Sequence, residues 1–518
     1  MRRLLLLCYV YLQLFPTCCI VSSFPHPPTL VQVRLHPTTM HDGGVARYLD
    51  PVKKYQKFSF QNRPLLSTTA TSDAQDDSDE SKQPINYHWT SQNFALAIPA
   101  LIGMLADPLL SLMDTAYVGR VGATELAALG ACTSIFHLAF NAFRATTTAT
   151  TSLVGNAETE DERRQIIKVS LSLGALLGII VMLILEASGT WCLATMGVPR
   201  RSPLYPSAIS YLRTRLWAAP AVLGIVVAEG AFRGYGDTTI PLLASLVASF
   251  INLILDPILM FPLRMGVAGA AAATGISQVG AAVVYAYFLL KRSMLPLKGD
   301  KSNVRSSKIV KTILGANLAM ICKQGSLLLA WAYATARATR IGSAHVAAHQ
   351  VALSCWLVFA LILDGAAVSA QVLMSRSLGS MKKVRSLVNY MTRFSFVQGL
   401  LTTGLILLSA PYLPSLFTSD QVIRGHLQSL MPQLAWQQLL VSLTLITESL
   451  AIGGNQFQLL ALGTTISTGF SIWELHRATD VVSIWSKGIV TLFVGRFITA
   501  VIGTFKVLHD HRDRGVKT

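Results

Sequence analysis

Charged residues are scarce in this chain. Asp, Glu, Lys and Arg make up 13% of its 518 residues, whereas soluble domains carry about 25%. Hydrophobic residues account for 52%, and the mean hydropathy is +0.48. This balance excludes an ordinary soluble domain and indicates an all-α integral membrane protein, whose apolar segments are long enough to cross a bilayer as helices.

Cysteine is sparse as well, and the seven cysteines form neither a CxxC motif nor a Cys/His cluster. We therefore expect neither a zinc site nor a disulfide framework. The sequence also lacks a Walker phosphate-binding loop and the motif of a nucleophilic triad. These absences argue against an enzyme, and we expect neither a metal nor a cofactor.

Acidic residues are outnumbered by basic ones, which gives a formal net charge of +17. The basic residues lie in the N-terminal segment and the predicted loops rather than in one stripe. They therefore indicate targeting and membrane orientation, not nucleic-acid binding. The even-numbered loops and the C-terminus hold most of them, so both termini are expected to face the more positive compartment, which in a plastid envelope is the stroma.

The first 90 residues have the composition of a two-part leader. Residues 1–23 combine a basic start, an apolar run and small residues, as in a signal peptide. Residues 24–90 form a disordered segment of transit-peptide composition that includes the acidic linker Asp73–Glu80. With Phe24 at the junction, the leader resembles that of algae with secondary plastids and predicts a plastid envelope. The alternative is a disordered tail on a plasma-membrane or endomembrane protein.

Apolar runs of about 20 residues predict twelve membrane spans. They lie at 93–118, 126–154, 166–189, 207–231, 239–263, 266–290, 312–336, 345–374, 392–417, 427–451, 456–474 and 484–506. The polar stretch 291–311 is an inter-lobe loop that divides them six and six. The sequence thus predicts an N-lobe at 91–290, a C-lobe at 312–507 and a basic tail at 508–518.

The two halves repeat at a fixed offset. Arg120 matches Arg340 and Gly122 matches Gly342, each 220 residues apart, within two stretches that align around them. A second echo joins the turn that begins GYGDTTIPLL to a later GGNQFQLL. Two pseudo-symmetric six-helix lobes in parallel repeat are typical of transporters that bind their substrate between or within the lobes.

A buried acid lies in the middle of the fifth span. Asn252 and Asp256 are four residues apart in the apolar run FINLILDPILMFP, so their side chains share one helix face. A carboxylate at this depth costs at least ~2.5 kcal/mol and persists mainly where it faces protein or a water-filled cavity. Pro257 removes a backbone donor beside the acid. A polar pair that only stabilises helix packing is the alternative.

Two further acids lie in the first span. Asp107 and Asp114 are seven residues apart and share a helix face. Carboxyls gathered in an apolar cavity can take up a proton near neutral pH and release it when solvated, which is the chemistry of a proton-driven antiporter. Pro99 and Pro108 are positions where this helix can bend.

These residues resemble a known family. The stretch FRGYGDTTIPLLASLVASFINLILDPILMFPLRMGVAGAAAAT, residues 232–274, is similar to multidrug and toxic compound extrusion (MATE) transporters of the DinF-like branch. Its GDT turn, N-x-x-x-D-P helix and G-V-x-G-A-A-x-A-T helix start all match. The stretch IPALIGMLADPLLSLMDTAYVGRVG resembles the first helix of that branch. The resemblance covers roughly residues 93–505 and implies a twelve-helix, two-lobe fold with ion-coupled efflux by alternating access.

The resemblance also implies roles for individual residues. Asp114 stands where the branch has its first-helix acid, Asn252 and Asp256 match its fifth-helix pair, and Thr274 matches a sixth-helix threonine in the same hydrogen-bonded cluster. Pro99 matches the bend of the first helix. No role carries over to Asp107, which we nevertheless place at the proton-coupling and substrate site because it lies on the face of Asp114.

The C-lobe carries a second polar cluster of Lys323, Asp364 and Glu448. Other branches of the family place a coupling acid in the seventh span, where this chain has Lys323 nearby. We therefore expect no sodium site in the C-lobe. Instead, Lys323 is expected to neutralise Asp364 or Glu448 as a buried structural pair.

The sequence thus predicts a secondary active transporter that exchanges protons, or less favourably sodium, for an organic cation, a xenobiotic or a small organic acid. A lipid or oligosaccharide flippase is one alternative, but it needs a basic lumen, and the N-lobe spans are expected to offer acids rather than a row of Arg and Lys. A non-transporting membrane receptor is another. The expected partners are a small-molecule substrate and membrane lipid, with no nucleic acid, and the protein is expected to be a monomer.

Overall fold

The structure is a computed structural model that describes residues 88–296, 306–417 and 421–514. The predicted signal peptide, most of the transit-like segment, Phe24, the centre of the inter-lobe loop and the last four residues lie outside the described residues. Within the described residues the chain is almost entirely helical and contains no β-strand.

Seven helices build the N-lobe and eight build the C-lobe in the described part of the chain. The N-lobe helices are α1 (Trp89–Val121), α2 (Ala123–Asn156), α3 (Glu160–Thr195), α4 (Tyr205–Leu216), α5 (Ala219–Gly234), α6 (Thr239–Met260) and α7 (Gly266–Lys291). The C-lobe helices are α8 (Ser306–Ile341), α9 (Ser343–Ser377), α10 (Met381–Ser409), α11 (Leu413–Phe417), α12 (Gln421–Gly453), α13 (Phe457–Arg477), α14 (Val481–Ser483) and α15 (Val490–Arg514).

Each lobe resolves into six spans. Helices α4 and α5 are bent by 50° and together form one span. The π-helical turn Ile484–Ile489 joins α14 to α15 as the last span, and α11 is a short turn between spans. Among the residues that the structure describes, seven helices are long and apolar enough to cross a membrane, or eight when the bent pair counts as one span.

One predicted span has the wrong boundaries. The ninth span, predicted at 392–417, is α10, which both begins and ends earlier at Met381–Ser409. Hydropathy locates the apolar centre of a helix, whereas charged turns such as the one with Lys382 and Lys383 extend the helix beyond its apolar run. Helix α15 continues to Arg514, so the described part of the basic tail predicted from residue 508 is helical.

The lobes repeat each other in packing and in backbone conformation. Helix α1 packs on α6 and α2 on α5, and the equivalent C-lobe helices pack in the same way, α8 on α13 and α9 on α12. Gly122 and Gly342, matched in the sequence, are both extended, with φ of 167° and 159°. Gly236 and Asn455 both adopt a left-handed conformation, with φ of 79° and 63°, in the matched turns.

The lobes are joined on the side where α1 begins. The inter-lobe hydrogen bonds run from Trp89 Nε1 to Ser386 Oγ at 3.0 Å, from Asn156 Nδ2 to the Gly453 carbonyl at 3.0 Å, and from Gln371 Nε2 to the Thr148 carbonyl at 2.8 Å and Ser152 Oγ at 3.0 Å. These residues lie at the starts of α1 and α10 and toward the ends of α2, α9 and α12. The structure is therefore closed on the side that the basic loops occupy.

Candidate functional site

Three polar residues predicted to act together meet inside the N-lobe. Helix α6 carries Asn252 and Asp256 one turn apart, and α1 brings Asp114 against them because the two helices pack side by side. All three are buried, with 9% of Asp114, 1% of Asn252 and 0% of Asp256 exposed. These residues, together with Thr274 on α7, are called the coupling cluster below.

Asn252 bridges the two acids. With its amide oriented as the hydrogen-bond network requires, the nitrogen donates to Asp114 Oδ1 at 3.0 Å and to Asp256 Oδ2 at 3.2 Å. The other atom of the amide lies 3.5 Å from Thr274 Oγ1. The Thr274 hydroxyl also lies 2.9 Å from the Ala270 carbonyl and within hydrogen-bonding reach of Asp114. One amide thus links helices α1, α6 and α7.

The two acids can share a proton. The carboxyls of Asp114 and Asp256 lie within hydrogen-bonding reach of each other, and two carboxylates this close repel strongly if both are ionised. Asp256 Oδ1 is buried and receives no hydrogen bond from the other described residues. A proton held between the carboxyls satisfies both conditions, so the pair can act as one titrating unit.

A cavity of about 280 Å³ lies beside the coupling cluster, between α1, α2, α4, α5, α6 and α7. Pro99 is part of its wall. Ala248 and Gln278 also line it, and the cluster residues Asn252 and Thr274 lie one helical turn from them on the same helices. A solute in this cavity would therefore lie about one helical turn from Asn252 and Thr274, the two cluster residues that hydrogen-bond the acids.

The expectation that the N-lobe offers acids rather than basic residues is wrong for this cavity. Arg144, Arg215 and Arg233 line it together with Glu229. Arg215 and Glu229 within the fourth span, 207–231, were the signal available in the sequence, because a charge inside an apolar span marks a functional site by default.

Asp107 and Pro108 lie on α1, but their side chains are outside the described residues. Helix α1 runs through Pro99 without interruption from Trp89 to Val121. The coupling role of Asp107 and the bending roles of both prolines therefore stay predictions.

The C-lobe cluster contains one cation more than the sequence suggested. Lys323 Nζ lies 3.0 Å from Glu448 Oε1, and Arg496 Nη2 lies 2.6 Å from Glu448 Oε2. All three side chains are at least nine-tenths buried. Asp364 is half-buried and close enough to interact electrostatically with both cations. Sequence reasoning missed Arg496, although it is a lone arginine inside the apolar twelfth span.

Comparison with known proteins identifies what this architecture resembles. The family model described as MatE matches residues 99–258 and 326–473, and the model described as lipid II flippase MurJ matches residues 210–342. Protein DETOXIFICATION 44, chloroplastic, from Arabidopsis thaliana is 30% identical over 435 residues, covering 80% of this chain and 81% of the relative.

A bacterial relative and a solved structure agree with this match. DNA damage-inducible protein F from Escherichia coli (strain K12) is 26% identical over 342 residues, covering 62% of this chain and 72% of the relative. A solved structure described as the outward-facing conformation of a multidrug resistance MATE family transporter of the MOP superfamily superimposes with a TM-score of 0.69. It is 25% identical, and the match covers 82% of this chain and 96% of that one.

Proposed function

The chain belongs to the MatE family and is a membrane-spanning efflux transporter, and we propose that it exports a small organic solute in exchange for protons. The solute would be an organic cation, a xenobiotic or a small organic acid. The coupling cluster is the observation that carries this proposal, since Asp114 and Asp256 share one amide donor and can hold one proton between them.

The position of the cluster explains how a proton would drive movement. The acids belong to α1 and α6, which enclose the cavity, and Asn252 links both acids to each other. Loss of the shared proton leaves two buried negative charges that repel, so α1 and α6 would separate or admit water. Protonation would restore the packed arrangement. Alternating access then follows if the cavity opens to one side of the membrane in the packed state and to the other side in the separated state.

Transport by reconstituted protein tests this function. Proteoliposomes with an imposed pH gradient are loaded with an internal pH dye, and benzenesulfonate or phenyltrimethylammonium is added as the solute. Solute-dependent proton movement is expected for the wild type and should be lost in Asp114→Asn and Asp256→Asn, because an amide keeps the shape but carries no proton. Glu186→Gln, an exposed acid on α3, is the matched control and should transport normally.

Two outcomes would redirect the proposal. Wild-type rates in both aspartate variants would place proton coupling elsewhere. Flux driven by a sodium gradient at uniform pH, with no response to a pH gradient, would assign sodium as the coupling ion instead.

A lipid or oligosaccharide flippase is the second candidate, and the MurJ match over residues 210–342 favours it. The sequence predicted no basic lumen for such a substrate, but the arginines in the cavity provide positive charge for a phosphate. The volume of about 280 Å³ argues against it, since a lipid-linked saccharide is much larger than the drug-sized ligands that fill pockets of about 300–1,000 Å³. The flippase would be supported if the proteoliposomes moved a fluorescent phospholipid between the two leaflets but moved neither small solute.

For localisation, we propose the plastid envelope, reached through the secretory route in an alga with a secondary plastid. The leader composition and the word chloroplastic in the name of the Arabidopsis relative support a plastid. A fluorescent protein fused after residue 70 should reach the plastid, and Phe24→Ala should leave it outside. Label at the plasma membrane would overturn the assignment.

A further inference from the structure

We propose that the N-lobe cavity binds a small organic anion and that Arg215 anchors its negative group. This inference rests on the proposed function, because it names the class of solute that the transporter would move. It is carried by the cavity, by the partners of Arg215 and by the helix break beside it.

Arg215 lies at a break in a membrane helix. Helix α4 ends at Leu216, and α5 begins at Ala219 at an angle of 50°. A charged side chain inside a span is costly unless it faces protein or a water-filled cavity, and Arg215 lines the cavity. Broken helices of this kind form the binding sites of many transporters.

Aromatic side chains, rather than an acid, hold the Arg215 guanidinium. It lies 4.7 Å from the centre of the Phe136 ring and donates a hydrogen bond to the Tyr211 hydroxyl oxygen at 2.8 Å. Among the described residues, the Arg215 guanidinium forms no ion pair with a carboxylate within 4.0 Å. A guanidinium has five N–H donors and pairs with a carboxylate or similar anion as a two-pronged fork, so Arg215 retains donors for an anion.

The rest of the wall favours a negative group on an apolar body. Glu229 is neutralised by Arg233, its ion-pair partner one turn along α5. Ala219 and Val222, at the start of α5, also line the cavity, and the N-terminal end of a helix favours negative charge. Phe140 adds an apolar surface beside Phe136. An organic cation in the same space would lie against the Arg215 charge.

The site adjoins the coupling cluster. Ala248 and Gln278 line the same cavity as Arg215 and lie one helical turn from Asn252 and Thr274, so an anion bound to Arg215 and a proton bound at the cluster would influence each other. The cavity volume of about 280 Å³ suits a molecule the size of one substituted ring, slightly below the usual range for drug-sized ligands.

Equilibrium binding to the purified full-length protein in detergent tests the inference. The two probes are benzenesulfonate, a permanent anion, and phenyltrimethylammonium, a permanent cation with the same ring. Benzenesulfonate should bind to the wild type and phenyltrimethylammonium should not, as measured by calorimetry. Arg215→Gln should weaken benzenesulfonate binding at least tenfold. Arg213→Gln, an exposed arginine on the same helix that pairs with Glu186, should leave it unchanged.

Arg215→Lys supplies a second variant if Arg215→Gln does not fold, and it should bind with intermediate affinity because it keeps the charge but loses the fork. Binding of the cation in place of the anion, no binding of benzenesulfonate to the wild type, or equal binding to wild type and Arg215→Gln would each overturn the inference. The measurement uses no ion gradient, so a failure of proton coupling in proteoliposomes leaves its result intact.

Discussion

Arg496 and Glu448 form a charge-assisted hydrogen bond of 2.6 Å in the interior of the C-lobe. Lys323 approaches the other oxygen of the same carboxylate at 3.0 Å. One buried carboxylate therefore contacts two buried cations, with Asp364 nearby as a half-buried second acid. The three contacting residues are not equivalent, because removing Glu448 takes the direct carboxylate partner from both cations, whereas removing Lys323 leaves the Arg496–Glu448 pair in place.

The first prediction compares the stability lost on removing Glu448 with that lost on removing Lys323. Glu448→Gln should destabilise the protein most, by at least the ~3–5 kcal/mol that an uncompensated buried charge costs. Lys323→Met should cost less, since Arg496 still neutralises Glu448. Thermal melting in detergent measures both, with Lys383→Met, an exposed lysine of α10, as the control. A larger loss for Lys323→Met than for Glu448→Gln would show that Lys323 has a partner more important than Glu448.

The second prediction concerns the closed side of the transporter. A β-carbon on Gly155 of α2 would lie 2.7 Å from Ser375 Cβ of α9, a separation that forces the lobes apart. Gly155→Ala should therefore favour opening on the side where α1 begins and slow transport. Spin labels at Glu158 and Lys383 would report this as an increased population of long distances.

Ser375→Gly should restore closure in the Gly155→Ala background, because it removes the side chain that the new methyl group meets. Gly130→Ala is the matched control on α2, since nothing lies within 4 Å of a β-carbon there. An unchanged distance distribution in Gly155→Ala would mean that the lobes absorb the methyl group without opening.

The fold was predictable to the extent that hydropathy and repetition determine it. Apolar runs located the helices of both lobes, and the offset between Gly122 and Gly342 identified two lobes whose glycines share a backbone conformation. Helix ends were less predictable, because residues such as Lys382 extend α10 into the polar region, where hydropathy carries no signal about helical structure.

The candidate site was predictable where spacing within one helix carries the information. Asn252 and Asp256 share a face of α6 by their spacing alone, whereas their approach to Asp114 and Thr274 came from the family resemblance. Residue spacing carries no such information about contacts between helices that are far apart in the sequence. Arg496 meets Glu448 across two packed helices, and Arg215 lines the cavity beside the break in its span. Neither position follows from local periodicity.

The third prediction tests the hydroxyl of Thr274. Its oxygen lies within hydrogen-bonding reach of Asp114 and 3.5 Å from the Asn252 amide. Thr274→Val keeps the shape but removes the hydroxyl, and should slow proton-driven flux about fivefold, equivalent to the ~1 kcal/mol of a typical hydrogen bond. Thr274→Ser keeps the hydroxyl and should transport close to the wild-type rate. Equal rates in the two variants, measured in the proteoliposome assay, would exclude a role for the hydroxyl.

The last prediction concerns Asn252, whose amide nitrogen donates to both acids. Asn252→Leu retains the volume of the side chain but removes the hydrogen bonds of 3.0 and 3.2 Å to Asp114 and Asp256. Hydrogen bonds to charged groups contribute ~1.5–3 kcal/mol each, and ~1.4 kcal/mol is a tenfold change, so proton-driven flux should fall at least tenfold. Ser249→Ala is the matched control on α6, because the Ser249 hydroxyl has no hydrogen-bond partner among the described residues. If Asn252→Leu and Ser249→Ala transport equally well, the amide bridge is structural and the two carboxyls hold their proton without it.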